Sequence, residues 1–247
     1  MPGRLLESEL VLEPSTDIIW STLPDGGLVI AKHGSKIEYL LSSSKPPSHV
    51  TPQSLSAVAV TEIGIILGHN DGRIEVLSES GVEFSGSTEA SIETISGGDK
   101  CAVILDSDGE VRWMDEDKNV HVIEGFGESE IVRVNSRSIA ASGVFGTLWI
   151  ANEGEIVHTS PPSDGSIESI SCMEFRPSGI LVASRRSLDG IGDHVPENRV
   201  ECWNISSGRI HCSETDHPLS SMTPTQSGVI VGLSLIHISE PTRLLSI

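Results

Sequence analysis

The 247-residue sequence is short of positive charge. It carries 16 Lys and Arg against 35 Asp and Glu, a formal net charge of −19. A phosphate backbone or an anionic membrane surface selects basic patches, so nucleic acid and membrane are both excluded as the main partner. A basic protein or peptide fits the balance better. Long apolar runs are also lacking, and nothing reaches the length of a bilayer-spanning helix. The first residues, MPGRLLESELVLEP, place acids where a secretory leader needs an apolar stretch. The four cysteines, Cys101, Cys172, Cys202 and Cys212, form no CxxC pair. A reduced, cytoplasmic chain is expected.

Catalytic signatures are missing too. There is no GxSxG, no P-loop, no GxGxxG and no HExxH. Gly190-Ile191-Gly192 is two glycines in a loop. Asp106–Gly109 (DSDG) resembles the opening of a calcium loop, but the ligands expected further along are absent, and a glycine turn between strands is the simpler reading. Asp115-Glu116-Asp117 reads as a solvated hairpin turn. The histidines are scattered and do not cluster with cysteine, so neither a metal nor a cofactor is expected. Cys202 and Cys212 fall on adjacent strands and could approach each other, but buried free thiols are the simpler reading. Asn204-Ile205-Ser206 matches a glycosylation acceptor, which carries little meaning without a leader.

What is present is a repeat. The segments KIEYLLSSS (36–44), RIEVLSESG (73–81), EVRWMDEDK (110–118), TLWIANEGE (147–155) and RVECWNISSG (199–208) each follow a turn. Their first inward apolar residues are Ile37, Ile74, Val111, Leu148 and Val200, spaced by 37, 37, 37 and 52 residues. Each unit has one grammar: an apolar strand, a turn, a buried apolar strand, a tight glycine turn, an alternating strand, another turn and a polar outer strand. Helical periodicity is absent. A four-stranded antiparallel unit cannot bury both faces alone, and radial packing of such units solves the problem. The predicted fold is therefore an all-β propeller. A β-sandwich is the alternative, but it requires no fixed period. The units fall at about 18–52, 56–86, 91–124, 130–160 and 168–213, with part of a sixth at 220–232.

VECWNISSGR (200–209) resembles the WD-repeat signature, in which an apolar strand ends in Trp-Asp and enters a glycine turn. Trp203 and Asn204 stand at the Trp-Asp positions. The equivalent pairs are Leu40-Leu41, Leu77-Ser78, Met114-Asp115 and Ala151-Asn152. Only the fifth unit keeps the Trp and only the third keeps the Asp, and the family's Gly-His dipeptide is missing. The resemblance covers residues 18–232 as architecture. It implies a non-catalytic protein-interaction scaffold presenting loops of one propeller face to a partner. The alternative is an enzyme or cofactor-binding propeller, quinoprotein-like or hydrolytic, with active residues at the channel or beyond residue 232. A seven-bladed ring would need roughly one and a half further units.

Two terminal segments stand apart from the repeat. Leu6–Leu12 alternates within the N-terminal segment 1–17 and is expected to act as a ring-closing strand, with a simple N-terminal extension as the alternative. Residues 233–247 begin LSLIHISEPTR, which resembles the translated end of a transposon-type sequencing adaptor, so this tail is expected to be non-native. Removing Glu240 and Arg243 with it leaves the net charge at −19.

The position that breaks the repeat is an insertion in the fifth unit, RRSLDGIGDHVPEN (185–198). In propellers of the WD type this loop shares a face with the blade-to-blade connections, commonly a partner-binding face. Arg185, Arg186, Asp189, Asp193, His194 and Glu197 are its candidate partner-binding residues, and a neutral insertion is the plain alternative. No oligomeric state follows from the sequence.

Overall fold

A computed structural model describes residues 18–22, 28–32, 38–40, 55–78, 81–163, 166–188, 198–217, 219–225 and 228–233. The ring-closing strand expected at 6–12 and tail residues 234–247 lie outside the described residues, as does any fourth strand of the first unit. Among the described residues there is no helix. The strands form six successive sheets. The first holds β1 (Ile18–Thr22), β2 (Leu28–Lys32) and β3 (Glu38–Leu40). The second holds β4 (Leu55–Thr61), β5 (Gly64–His69), β6 (Arg73–Ser78) and β7 (Gly81–Ser87). The third holds β8 (Ile92–Gly97), β9 (Ala102–Asp106), β10 (Val111–Met114) and β11 (Val120–Val122). The fourth holds β12 (Ser129–Asn135), β13 (Ser138–Gly143), β14 (Leu148–Asn152) and β15 (Glu155–Ser160). The fifth holds β16 (Glu168–Phe175), β17 (Leu181–Ser187), β18 (Asn198–Asn204) and β19 (Gly208–Glu214). The sixth holds β20 (Leu219–Pro224) and β21 (Val229–Leu233).

Every sheet is an antiparallel meander in chain order. The first strands line up across sheets, β4 beside β8, β8 beside β12, β12 beside β16 and β16 beside β20. That makes them the inner strands of a propeller, as the period predicts, and a two-sheet sandwich is excluded.

Burial follows position in the blade. The second strands of the four complete blades are covered on both faces over most of their length: every residue of β9 is buried, which is why the sequence reads as an unbroken AVIL there. The outer strand β15 alternates between exposed and half-buried. Among the described residues four of the five hydrophobic clusters lie between blades, and the fifth gathers Leu55, Val58, Ile65, Leu67 and Leu77 on the second blade. Ile66, Ile74 and Val76 of the second blade pack on Ile92, Ile104 and Met114 of the third. Val103, Leu105 and Val111 of the third meet Val132, Ile139 and Ala151 of the fourth. Leu148 and Ile150 of the fourth meet Met173, Leu181 and Trp203 of the fifth.

The turns sort onto two faces. First-to-second and third-to-fourth strand turns share one face, called here the hairpin face. Second-to-third strand turns share the other with the connections between blades, called here the connection face. The tight turns of the connection face contain Gly72, Gly109 and Gly146, with φ of 81, 77 and 78°. Each packs against the connection entering the next blade. A Cβ would lie 2.3 Å from Thr88 O, 2.9 Å from Ser129 N and 2.6 Å from Glu168 O respectively. Only glycine satisfies both conditions.

A candidate docking cleft and the blade-five ion network

The hairpin face carries a cleft of about 600 Å³ between the second, third and fourth blades. Its walls come from five turns of that face. Glu62 sits in the β4–β5 turn, and Asp99, Lys100 and Cys101 in the β8–β9 turn. Asp115, Glu116 and Asp117 follow β10, Ser136 and Arg137 sit in the β12–β13 turn, and Glu153 in the β14–β15 turn. Trp113 of β10 forms part of the wall. Its ring lies 5.2 Å from that of His121 and under the Gly154 turn, where a Cβ would come within 2.8 Å of Trp113 Nε1.

Six carboxylates face two cations in this cleft. Arg137 pairs with Glu153 and lies 3.8 Å from Glu116, and Lys100 Nζ lies 4.0 Å from Glu116. Asp115 is occupied by its own turn. It accepts from the backbone N–H groups of Asp117 and Asn119, each at 2.9 Å, and pairs with His121 Nε2 at 2.7 Å. Partial burial pushes its carboxyl up, but the His121 and Asn119 hydrogen bonds outweigh this and hold it below the usual value. Glu62, Asp99 and Asp117 form no ion pair among the described residues. The cleft therefore attracts a cation.

It is poorly equipped for covalent chemistry. Cys101 is buried, its Sγ–H donates to Ser136 O, and burial with nearby Asp99 pushes its thiol up to about 11. That leaves almost no thiolate at neutral pH. Cys172 and Cys202 are likewise free and buried, but Cys212, expected to be buried, is exposed because it lies on the outer strand β19. Cys202 pairs in register with His211 and Cys212 with Glu201, so the two thiols are offset along the ladder. A thiol-reactive disulfide reagent is expected to titrate one thiol in the native protein and four after denaturation. More than one fast native equivalent would contradict this burial pattern. Among the described residues no group of three His, Cys, Asp or Glu could hold a metal ion. The DSDG turn is structural: Asp106 accepts from Asp108 N at 3.1 Å and Glu110 N at 3.0 Å, and pairs with Arg112 at 2.6 Å.

The signature positions are structural as well. Met114 and Trp203 are buried between blades. Asn204 Oδ1 accepts from Ser206 N at 2.9 Å and Ser207 N at 3.1 Å. Asp115 does the same work in the third blade.

The insertion begins later than the sequence suggests. Residues 185–187 belong to β17 and Asn198 to β18, so the loop spans 188–197. Arg185 does not face a partner. It is fully buried and reaches back to the fourth blade, donating to Gly146 O and to Ser160 Oγ at 3.1 Å. It also pairs with Glu168 at 3.1 Å and lies 3.5 Å from Glu201. Arg199 holds Glu168 bidentately at 2.8 and 2.9 Å and Glu201 at 3.0 Å. Trp203 Nε1 donates to Glu201 Oε2 at 3.2 Å. Burial pushes the Glu168 carboxyl up, but the Arg199 hydrogen bonds and the charges of Arg199 and Arg185 win and hold it below the ordinary value. Arg186 is exposed. Asp189, Asp193, His194 and Glu197 lie outside the described residues.

Glu168, Arg199 and Glu201 did not stand out as site residues in the sequence. The signal was Arg199-Val200-Glu201, where charges occupy both positions flanking an inward apolar residue on a strand buried on both faces.

No protein-family profile matches the sequence, and no curated protein matches it. Solved structures do. The computationally designed Ika8 protein is similar over 88% of this chain and 68% of its own, with TM-score 0.64 and 14% identity. The WD40 β-propeller domain of Doa1 is similar over 87% of this chain and 75% of its own, with TM-score 0.56 and 16% identity. A chain of a mitotic checkpoint complex aligns over 88% of this chain and 70% of its own, with TM-score 0.64 and 11% identity. At these identities the likeness establishes the fold: a WD40-type propeller of four-stranded blades.

Proposed function

We propose that this propeller is a non-catalytic interaction scaffold that receives a Lys- or Arg-bearing segment of a partner protein in its hairpin-face cleft. One observation carries the reading: a cleft of about 600 Å³ in which six carboxylates face two cations. A partly desolvated cleft of one sign concentrates its field and speeds encounter with the opposite charge. Propeller chains of similar fold occur in a mitotic checkpoint complex and in a complex of BBS1N with ARL6DN, so the architecture is one that protein assemblies use. The insertion 188–197, with Arg186 at its root, contributes to partner choice in this reading. A reducing, cytoplasmic setting suits four unpaired thiols.

The test is a titration with a labelled Lys/Arg-rich peptide. Binding is expected to weaken about tenfold in a Glu62→Gln, Asp117→Asn, Glu153→Gln triple variant, and to fall steeply with salt. Neutralising Glu89, Glu93 and Glu124, exposed residues outside the cleft, should change affinity by less than about twofold. Equal losses in both triple variants would mean that net charge alone attracts the peptide, and the cleft reading would fall.

A further inference from the structure

The connection face carries an apolar patch at the junction of the fourth and fifth blades. Three large side chains from three separate segments are exposed there: Phe145 at 73%, Ile167 at 55% and Leu188 at 55%. Backbone contacts bring them together. Leu188 N donates to Ile167 O at 2.8 Å. Gly146, next to Phe145, lies against the backbone of Glu168, next to Ile167, so closely that a Cβ there would sit 2.6 Å from Glu168 O.

Among the described residues none of these side chains lies in a hydrophobic cluster. What lies beneath them is buried and charged. Arg185 ties the Phe145 turn, through Gly146 O, to the inner strand at Glu168 and to the outer strand at Ser160. Leu188 lies three residues beyond Arg185 itself. A buried ion network of this kind adds little net stability over an apolar core, but it fixes geometry. Here the geometry it fixes is the relative position of the three exposed apolar side chains.

Acid lies on the same face, on the side toward the third blade. Exposed Glu128 bonds through its backbone carbonyl to Val144 N at 3.3 Å, and exposed Glu130 follows two residues later. The same face carries exposed Asp108 and Glu124. Arg186 is the exposed cation nearest in sequence to Leu188, on a chain of net charge −19.

We propose that Phe145, Ile167 and Leu188 form a second docking surface, for a partner segment presenting two or three aliphatic or aromatic side chains flanked by Lys or Arg. The apolar side chains fill the patch, and the flanking cations meet Glu128 and Glu130. The proposal rests on the scaffold reading but places this contact on the opposite face from the cleft. The protein would then hold two segments at once, one on each face.

The experiment is a selection of displayed random twelve-residue peptides on the full chain, followed by affinity measurement on the enriched sequences. Enrichment of Leu, Ile, Phe or Met beside Lys or Arg is expected. A set of these peptides should lose about tenfold in affinity for a Phe145→Ser, Leu188→Ser variant. They should bind the cleft triple variant as tightly as the wild type. The exposed substitutions should leave the thermal midpoint unchanged. A Phe145→Lys variant should repel the same peptides more strongly than Phe145→Ser. The proposal is overturned if no enriched peptide discriminates the double variant, or if Glu-flanked apolar peptides prevail. A concentration-dependent dimer in sedimentation that the double variant abolishes would also overturn it, since the occupant would then be a second copy. Peptides sensitive only to the cleft variant would overturn this surface and leave the scaffold reading standing.

Discussion

Replacing Glu168 by glutamine is expected to lower the unfolding free energy by about 3–5 kcal/mol, measured by urea denaturation with an unchanged slope. Glu168 is the carboxylate that Arg185 and Arg199 share, and all three side chains are almost completely buried. The amide keeps the shape but removes the charge. Two guanidinium groups then have Glu201 as their remaining carboxylate, with Arg209 already 3.4 Å from it. An uncompensated buried charge is the costly outcome, far more so than the loss of one hydrogen bond. The contrast is Glu153→Gln on the exposed Arg137 pair, which should change stability by no more than about 0.5 kcal/mol. Acid should act in the same direction as the substitution. The folded-state value of Glu168 is depressed from 4.5. Its contribution is therefore complete above that pH and drains away as the pH falls toward the folded-state value. The glutamine variant should lack this part of the acid limb. An equal cost for Glu168→Gln and Glu153→Gln would refute the buried network as described.

Gly146→Ala is expected to cost about 2–4 kcal/mol by the same measurement, and Gly179→Ala only about 1 kcal/mol. Both glycines have positive φ, 78° and 81°, so both substitutions carry the left-handed penalty. They differ in what a methyl group would meet. At 179 there is nothing within 4 Å, while at 146 the methyl lands 2.6 Å from Glu168 O and 2.7 Å from its carbonyl carbon. Backbone atoms of a packed strand cannot step aside as a flexible side chain can. The collision also falls on the segment that Arg185 clamps, so the strain is transmitted to the buried network. Similar costs at the two sites would show that the connection into the fifth blade yields readily.

The repeat was legible because each blade uses each residue class for one task. Ile74, Val111 and Leu148 recur every 37 residues because each is the first inward apolar residue of a blade's third strand. Gly72, Gly109 and Gly146 recur at the same interval because each abuts the next connection. Such constraints are local and periodic, and a single sequence displays them. The cleft was not legible. Its carboxylates come from turns as far apart as Glu62 and Glu153, and each turn alone looks like any solvated hairpin. Arg185 was misplaced for a related reason. A charged residue beside an insertion reads as loop surface unless Glu168, Gly146 and Ser160, from other strands and another blade, are known to surround it. Phe145 passed unnoticed because one exposed aromatic in a turn is ordinary, and only its adjacency to Ile167 and Leu188 gives it weight.

The placement of the hydrophobic clusters between blades separates two units that are easily confused. The stretch that recurs in the sequence is a whole sheet, but the stretch that packs together is two facing sheet sides, such as Ile66 and Val76 with Ile92 and Ile104. The unit of duplication and the unit of packing are thus offset by half a blade. Copying one 37-residue segment adds one complete interface and leaves the existing ones intact.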